Sequence, residues 1–125
     1  MAANFLTDLG ILAADETPNT GHLVCVSISD SLTAAGSTAA GALALTSNVN
    51  NVTTTASGTG VRLPAQAAPG ARIVVLNNGA SALLPYPPTS GFLNGGSVNV
   101  AGGTIAVGGV ASFVQTTTAG TYYSD

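Results

Sequence analysis

"PGARIVVLNNGASALLPYPPTSGFLNGG", residues 69–96, decides the fold class. Pro69-Gly70 opens a turn, "ARIVVL" at 71–76 is a β-branched and aliphatic run of strand length, and "NNG" at 77–79 stops it. A second short run, "ALLPY" at 82–86, follows and ends among prolines. The whole stretch carries one charged side chain, Arg72, and no histidine, cysteine or carboxylate. It therefore reads as scaffold or contact surface, its few hydroxyls having no histidine or carboxylate within the stretch to activate them.

The same signals extend to both sides. Strands are predicted at Leu23 to Ser29, Asn51 to Thr55, Val61 to Leu63, Ala71 to Leu76 and Ala82 to Tyr86, with Gly, Pro and Asn between them. Toward the C-terminus, Gly95-Gly96, Gly102-Gly103 and Gly108-Gly109 separate "SVNV", "TIAV" and "VASFVQ". Paired glycines supply the positive φ that two-residue hairpins need, so this part reads as a meander of short antiparallel strands ending in "TYYS". "LTAAGSTAAGALAL", residues 32–45, repeats Thr-Ala-Ala-Gly and reads as an ill-defined strand with a long loop. The prolines at 85, 87 and 88 cannot donate to a ladder from a central strand, which places "LLPYPPTSG" at an edge, a bulge or an exposed loop. Tyr86 among them is either an interface contact or an aromatic lid on the core.

The expected fold is all-β: one small β-sandwich or flattened barrel of short antiparallel strands, residues 21–125, preceded by an extended N-terminal arm, residues 1–20. The length of 125 residues fits one domain. In the arm Phe5, Leu6, Leu9, Ile11 and Leu12 cluster without a clean period, and "ETPNTG" closes the segment. Such a segment either frays or docks on its own domain, a neighbouring copy or a partner surface.

Composition excludes several function classes. Charged residues make up 6% of the chain, against about 25% in an ordinary soluble domain. There is no lysine, and Arg62 and Arg72 face five carboxylates, Asp8, Asp15, Glu16, Asp30 and Asp125, for a net charge of -3. The basic footprint of a nucleic-acid binder is missing. A neutral surface of Ser, Thr, Asn, Ala and Gly offers little like-charge repulsion between copies, which suits an assembly component. Mean hydropathy is positive, yet runs such as "IVVL" and "GALAL" fall far short of the ~20 apolar residues of a spanning helix, so no membrane partner is expected. The N-terminus lacks a basic region ahead of its apolar residues and does not resemble a secretory signal, which implies synthesis in a cytoplasm.

Nor do the reactive residues form a constellation. Cys25 is the single cysteine and alternates within "LVCVSIS" as a small buried hydrophobe. His22 has Ser27, Ser29 and Asp30 nearby in sequence, but no nucleophile-elbow motif accompanies them. One His, one Cys and scattered carboxylates make no metal-ligand spacing, and the glycine pairs lack the Lys-Ser/Thr of a phosphate loop. No catalytic residue, metal or cofactor is expected. Arg62 in "GVRLP" and Arg72 in "GARIVV" interrupt apolar strand patterns and become candidates for intersubunit pairing, the alternative being a plain exposed strand face.

The run "VTTTASGTGVRLPAQAAPGARIVVLNNGASALLPYPPTSGFLNG" followed by "VASFVQTTTAGTYYS" resembles a small β module of tailed-bacteriophage structural proteins. Gly60, Val61, Leu63, Pro64, Pro69, Gly70, Asn77, Gly79, Pro87, Asn94, Gly95, Phe113 and Tyr123 fall on that pattern, which covers residues 50–124 and leaves out the arm. Within that class the chain is most similar to capsid decoration, or cement, proteins. The resemblance implies a virion protein made in the host cytoplasm and bound to the outer surface of the phage head. Its partners would be the major capsid protein and sister copies in a homotrimer. Phe5, Leu6, Leu9, Ile11 and Leu12 of the arm, with Arg62, Arg72 and Tyr86, are then the candidate interface residues. The alternative is a head-fibre or tail receptor-binding module recognising cell-surface glycans, with Tyr86, Phe92, Tyr122 and Tyr123 as aromatic platforms.

Overall fold

The computed structural model describes residues 27–65 and 68–124. They form nine strands in two sheets, with no helix: β1 (Ile28–Thr33), β2 (Leu43–Ala44), β3 (Val49–Thr54), β4 (Gly60–Arg62), β5 (Arg72–Asn77), β6 (Leu84–Tyr86), β7 (Phe92–Leu93), β8 (Val110–Gln115) and β9 (Thr121–Ser124). One sheet has six strands in the order β1-β3-β5-β8-β9-β7, and the other has three in the order β2-β4-β6. The arm, including Phe5, Leu6, Leu9, Ile11 and Leu12, lies outside the described residues, as do His22, Cys25 and most of the strand expected from Leu23.

From β1 to β6 the chain alternates between the sheets, one strand in each per turn of a coil. Successive turns set Ile28, Val49 and Val74 side by side in the larger sheet, and Leu43, Val61 and Pro85 side by side in the smaller. Every one of these pairings is parallel. This corrects the expected array of antiparallel strands, because a strand that returns to its own sheet only after crossing the other points the same way each time. Among the described strand ladders antiparallel pairing is confined to β5 with β8 and β8 with β9, while β7 again pairs in parallel with β9.

The glycine-paired meander is also corrected. "SVNV" and the residues up to Thr104 form loop, and Ile105 makes only an isolated bridge with Leu83. Of the three expected segments only "VASFVQ" becomes a strand, β8. Val98, Val100 and Val107 lie exposed rather than covered by a partner strand. Without a buried face, short Gly-flanked runs do not recover the entropy of ordering them.

Alternation along each strand builds the core. Val52 of β3, Ile73 and Val75 of β5, Phe113 of β8 and Tyr122 of β9 point inward, against Val61 and Leu63 at β4 and Leu83 before β6. At about 1.5–3 kcal/mol for each large apolar side chain buried, this shared cluster is what holds the sheets together. Three inward strand positions are amides, Asn50, Asn77 and Gln115. Asn50 donates to the Ser47 and Val74 carbonyls at 2.8 and 3.2 Å. Asn77 donates to those of Ser81 and Ile105, both at 2.9 Å, and accepts from the Gly79 N–H at 3.1 Å. Asn77 thus ties the end of β5 both to its own turn and to the loop that bridges the smaller sheet. Pro85 sits in β6, an edge strand, as its missing N–H requires, and Pro87 and Pro88 are buried.

Candidate interaction surface

The two arginines and Tyr86 do not share a surface. Arg62 and Tyr86 are direct neighbours across β4 and β6, on the side of the smaller sheet away from the main core. The loop over residues 36–42 folds across them. Gly36, at φ +62, makes its reversal, where a β-carbon would run into the Gly41 backbone. Arg62 Nη1 donates to the Ala39 and Ala40 carbonyls at 3.0 and 3.1 Å, and the Tyr86 hydroxyl donates to the Ser37 carbonyl at 2.8 Å. Ala39, Ala42 and Tyr86 form a small second core. The alanine-rich stretch, read from sequence as an ill-defined strand with a long loop, is therefore the cover of the smaller sheet, and Arg62 and Tyr86 are its fasteners. Gly60, beside them, leaves room for this arrangement: a β-carbon there would stand 2.5 Å from the Leu84 carbonyl oxygen and 2.7 Å from the Tyr86 ring.

Arg72 lies on the opposite side of the molecule, on the outer face of the six-stranded sheet, where its Nη1 donates to the Ser112 hydroxyl at 2.6 Å. Strand register arranges that face in three rows. The first runs Arg72, Val114, Tyr123, the second Ile28, Val49, Val74, Ser112, and the third Asn51, Leu76, Val110. Asp30 stands at the β1 end of the third row, its carboxylate accepting from Asn51 Nδ2 at 2.7 Å and from the Ser31 N–H at 2.7 Å. Phe92, on β7, extends the face beyond β9. Ile28 is 69% exposed, Val110 64%, Tyr123 49% and Phe92 42%. Among the described residues, eight apolar side chains thus share a face with one guanidinium and one carboxylate. Contiguous exposed apolar area of this kind marks contact sites.

Sequence reading named Arg72, Phe92 and Tyr123 of this face and missed Ile28, Val110 and the aliphatic residues between them. The signal was present: "RIVVL" is apolar at consecutive positions, as expected of a strand with apolar groups on both faces.

Two grooves lie among the described residues. One, of about 450 Å³, runs between Pro85, Gly102, Ile105, Val110 and Phe113, and none of the described residues in its wall is ionisable. The other, of about 650 Å³, is lined by Leu45, Asn48, Leu63, Pro64 and Ile73, with Arg62 at its side. Neither brings a base to a nucleophile, and among the described residues no three His, Cys, Asp or Glu side chains gather as metal ligands. Among the described residues Tyr122 has a displaced titration: burial pushes its phenol up to about 12, and its hydroxyl donates to the Pro64 carbonyl at 2.7 Å. Two of the four aromatic platforms expected for a glycan site, Tyr86 and Tyr122, are core residues, which leaves Phe92 and Tyr123.

No family model, curated protein or solved structure matches this chain. Among the described residues no helix is long and apolar enough to cross a membrane.

Proposed function

We propose that this protein acts by surface contact as a capsid decoration protein of a tailed bacteriophage. Its two sheets serve as a compact β-sandwich body on the outer surface of the head, self-associated and bound to the major capsid protein. The observation that carries this reading is the outer face of the six-stranded sheet, broad, apolar and nearly uncharged. The low charge of the whole chain and the resemblance of residues 50–124 to phage β modules support it. Cementing works by many weak contacts repeated over a lattice, in which area and multivalency count for more than any single group. Residues 1–20 with Arg72 are the proposed grip on the shell. Arg62 and Tyr86 drop out of the direct contact and take the role of holding the 36–42 cover.

Phe92 and Tyr123, exposed near each other on the β7–β9 side, favour a second reading as a glycan-binding head-fibre or tail module. Copy number separates the two. Quantitative mass spectrometry of purified particles should give a ratio to the major capsid protein near one for a cement protein. A ratio of a few per cent would favour the fibre reading, and absence from particles would refute both. Deleting residues 2–20 should abolish capsid binding and leave the β body folded; undiminished binding would remove the arm from the mechanism.

A further inference from the structure

We infer that Asn94 is a site of spontaneous covalent modification in the folded chain, losing its side-chain amide through a cyclic imide formed with Gly95, whereas the fold protects Asn78 from the same reaction. The sequence holds two Asn-Gly steps, Asn78-Gly79 and Asn94-Gly95. At both, the backbone nitrogen that must attack the asparagine side chain belongs to a residue with no β-carbon to shield it. Their surroundings in the fold differ.

At Asn94 the reacting groups face solvent. Leu93 to Gly96 form a turn closed by the Gly96 N–H donating to the Leu93 carbonyl at 3.0 Å, with φ of +56 at Asn94 and +71 at Gly95. Positive φ at both central positions makes this a type I′ turn, which leaves the N–H between them out of the closing bond. The Gly95 N–H accordingly has no partner among the described residues. Asn94 and Gly95 are both exposed, and a β-carbon on Gly95 would meet only the Tyr123 hydroxyl, 3.9 Å away. The Asn94 carboxamide is held by Ser124: Oδ1 accepts from the Ser124 N–H at 2.8 Å and Nδ2 donates to Ser124 Oγ at 2.9 Å. A backbone N–H on Oδ1 is the donor that oxygen needs as negative charge develops on it.

The Gly95 nitrogen passes its proton to water or hydroxide and bonds to Asn94 Cγ. The Cγ–Nδ2 bond breaks, and that nitrogen takes up a proton and leaves as ammonia. Water then opens the imide at either carbonyl, giving aspartate or isoaspartate, and nothing is oxidised or reduced. At Asn78 each condition fails. The Gly79 N–H is buried and donates to Asn77 Oδ1 at 3.1 Å, and Asn78 Nδ2 donates to Asn51 Oδ1 at 2.5 Å. A β-carbon on Gly79 would run into Thr55, so the imide has no room beside it. Reaction at this step waits for the end of β5 to open. Each event at Asn94 adds one carboxylate to a chain with only seven charged side chains, at the β7 edge and beside Tyr123. The inference concerns the free chain and stands independently of the capsid reading.

The test is incubation of the full chain at mildly alkaline pH, folded and in urea, followed by peptide mapping with mass spectrometry that separates aspartate from isoaspartate. In urea, where no fold distinguishes them, the two steps should react at similar rates. In the folded chain Asn94 should convert roughly tenfold or more faster than Asn78, since only the latter must first open. Isoaspartate among the products marks the imide, because direct hydrolysis of the side chain gives aspartate alone. Asn77→Ala removes the acceptor of the Gly79 N–H and should speed conversion of Asn78 several-fold in the folded chain, leaving Asn94 unchanged. Circular dichroism verifies that this variant is folded. Equal rates at the two steps in the folded wild type, conversion of Asn94 confined to urea, or aspartate as the sole product would overturn the inference. A folded Asn77→Ala chain in which Asn78 reacts no faster would overturn the account of its protection. None of these results alters the particle copy number, so failure here is distinguishable from failure of the capsid reading.

Discussion

Replacing Asn77 by alanine should cost roughly 3 kcal/mol of stability, because three hydrogen bonds at a fully buried site, each worth about 1 kcal/mol net, are lost together. The loss is uneven. The Ser81 carbonyl still accepts from Thr55 Oγ1 at 2.8 Å and the Ile105 carbonyl from the Leu83 N–H at 2.9 Å, so neither is orphaned. The Gly79 N–H loses the side-chain acceptor that closes the turn after β5, at a position buried against Thr55. For a body of this size the loss corresponds to a fall in Tm of about 10 °C. Urea unfolding followed by far-ultraviolet circular dichroism measures it, with an unchanged m-value as the sign that only the folded state has been altered. Asn51→Ala is the control, since Asn51 sits on the neighbouring strand, faces outward and bonds Asp30 and Asn78 at the surface. It should stay within about 1 kcal/mol of wild type. Equal losses at the two positions, or a loss below about 1 kcal/mol at Asn77, would refute the claim that an inward amide clamps the sheets.

Two further outcomes follow from named contacts. The Tyr122 phenol, raised from 10.0 to about 12 in the folded chain, keeps its proton where the unfolded chain has given it up. Its contribution is intact below pH 10 and is lost as pH rises toward 12, at on the order of 1 kcal/mol per pH unit. Urea midpoints taken through that window should slope downward in the wild type and lose this component in Tyr122→Phe; parallel curves would show that the phenol does not titrate as described. Arg62→Ala should free the carbonyls of Ala39 and Ala40, so amide hydrogen exchange across 36–42 should quicken several-fold, whereas Arg72→Ala should leave that segment unchanged. Equal protection in both variants would mean that the cover is held by Tyr86 and the alanines alone.

The sequence made the class and most strand positions legible, because β-branched runs broken by Gly, Pro and Asn depend only on local chemistry. β3 to β6 fall within a few residues of the runs read for them. Pairing direction was not legible. A parallel coil and an antiparallel meander use the same short apolar runs, and only knowledge of which sheet each strand joins separates them. Leu43–Ala44 is a strand of two residues, defined by its ladder to Val61 and Arg62 rather than by any propensity of its own. The glycine pairs misled for a related reason. Positive φ permits a hairpin but does not supply a partner strand, and around Val98 and Val100 none is present among the described residues. Arg62 and Arg72 look alike as cations in apolar runs. What distinguishes them is the 36–42 loop, which reaches one and not the other.

That difference bears on the working state of the molecule. Parallel sheets are ordinarily covered on both faces, since their strands carry apolar residues on each side. Here the core covers one face of the six-stranded sheet, and the residues on the other are those of a buried surface: Ile28, Val49, Val74, Leu76, Val110 and Val114. On the smaller sheet the same problem is solved within the chain, by a loop pinned through Arg62 and Tyr86. Nothing among the described residues does so for the larger sheet. Polar side chains at those positions would have cost the core nothing, because each lies on the far side of its strand. The conjunction of an internal cover on one sheet and an aliphatic face with opposite charges on the other argues for a surface shaped by contact with another molecule.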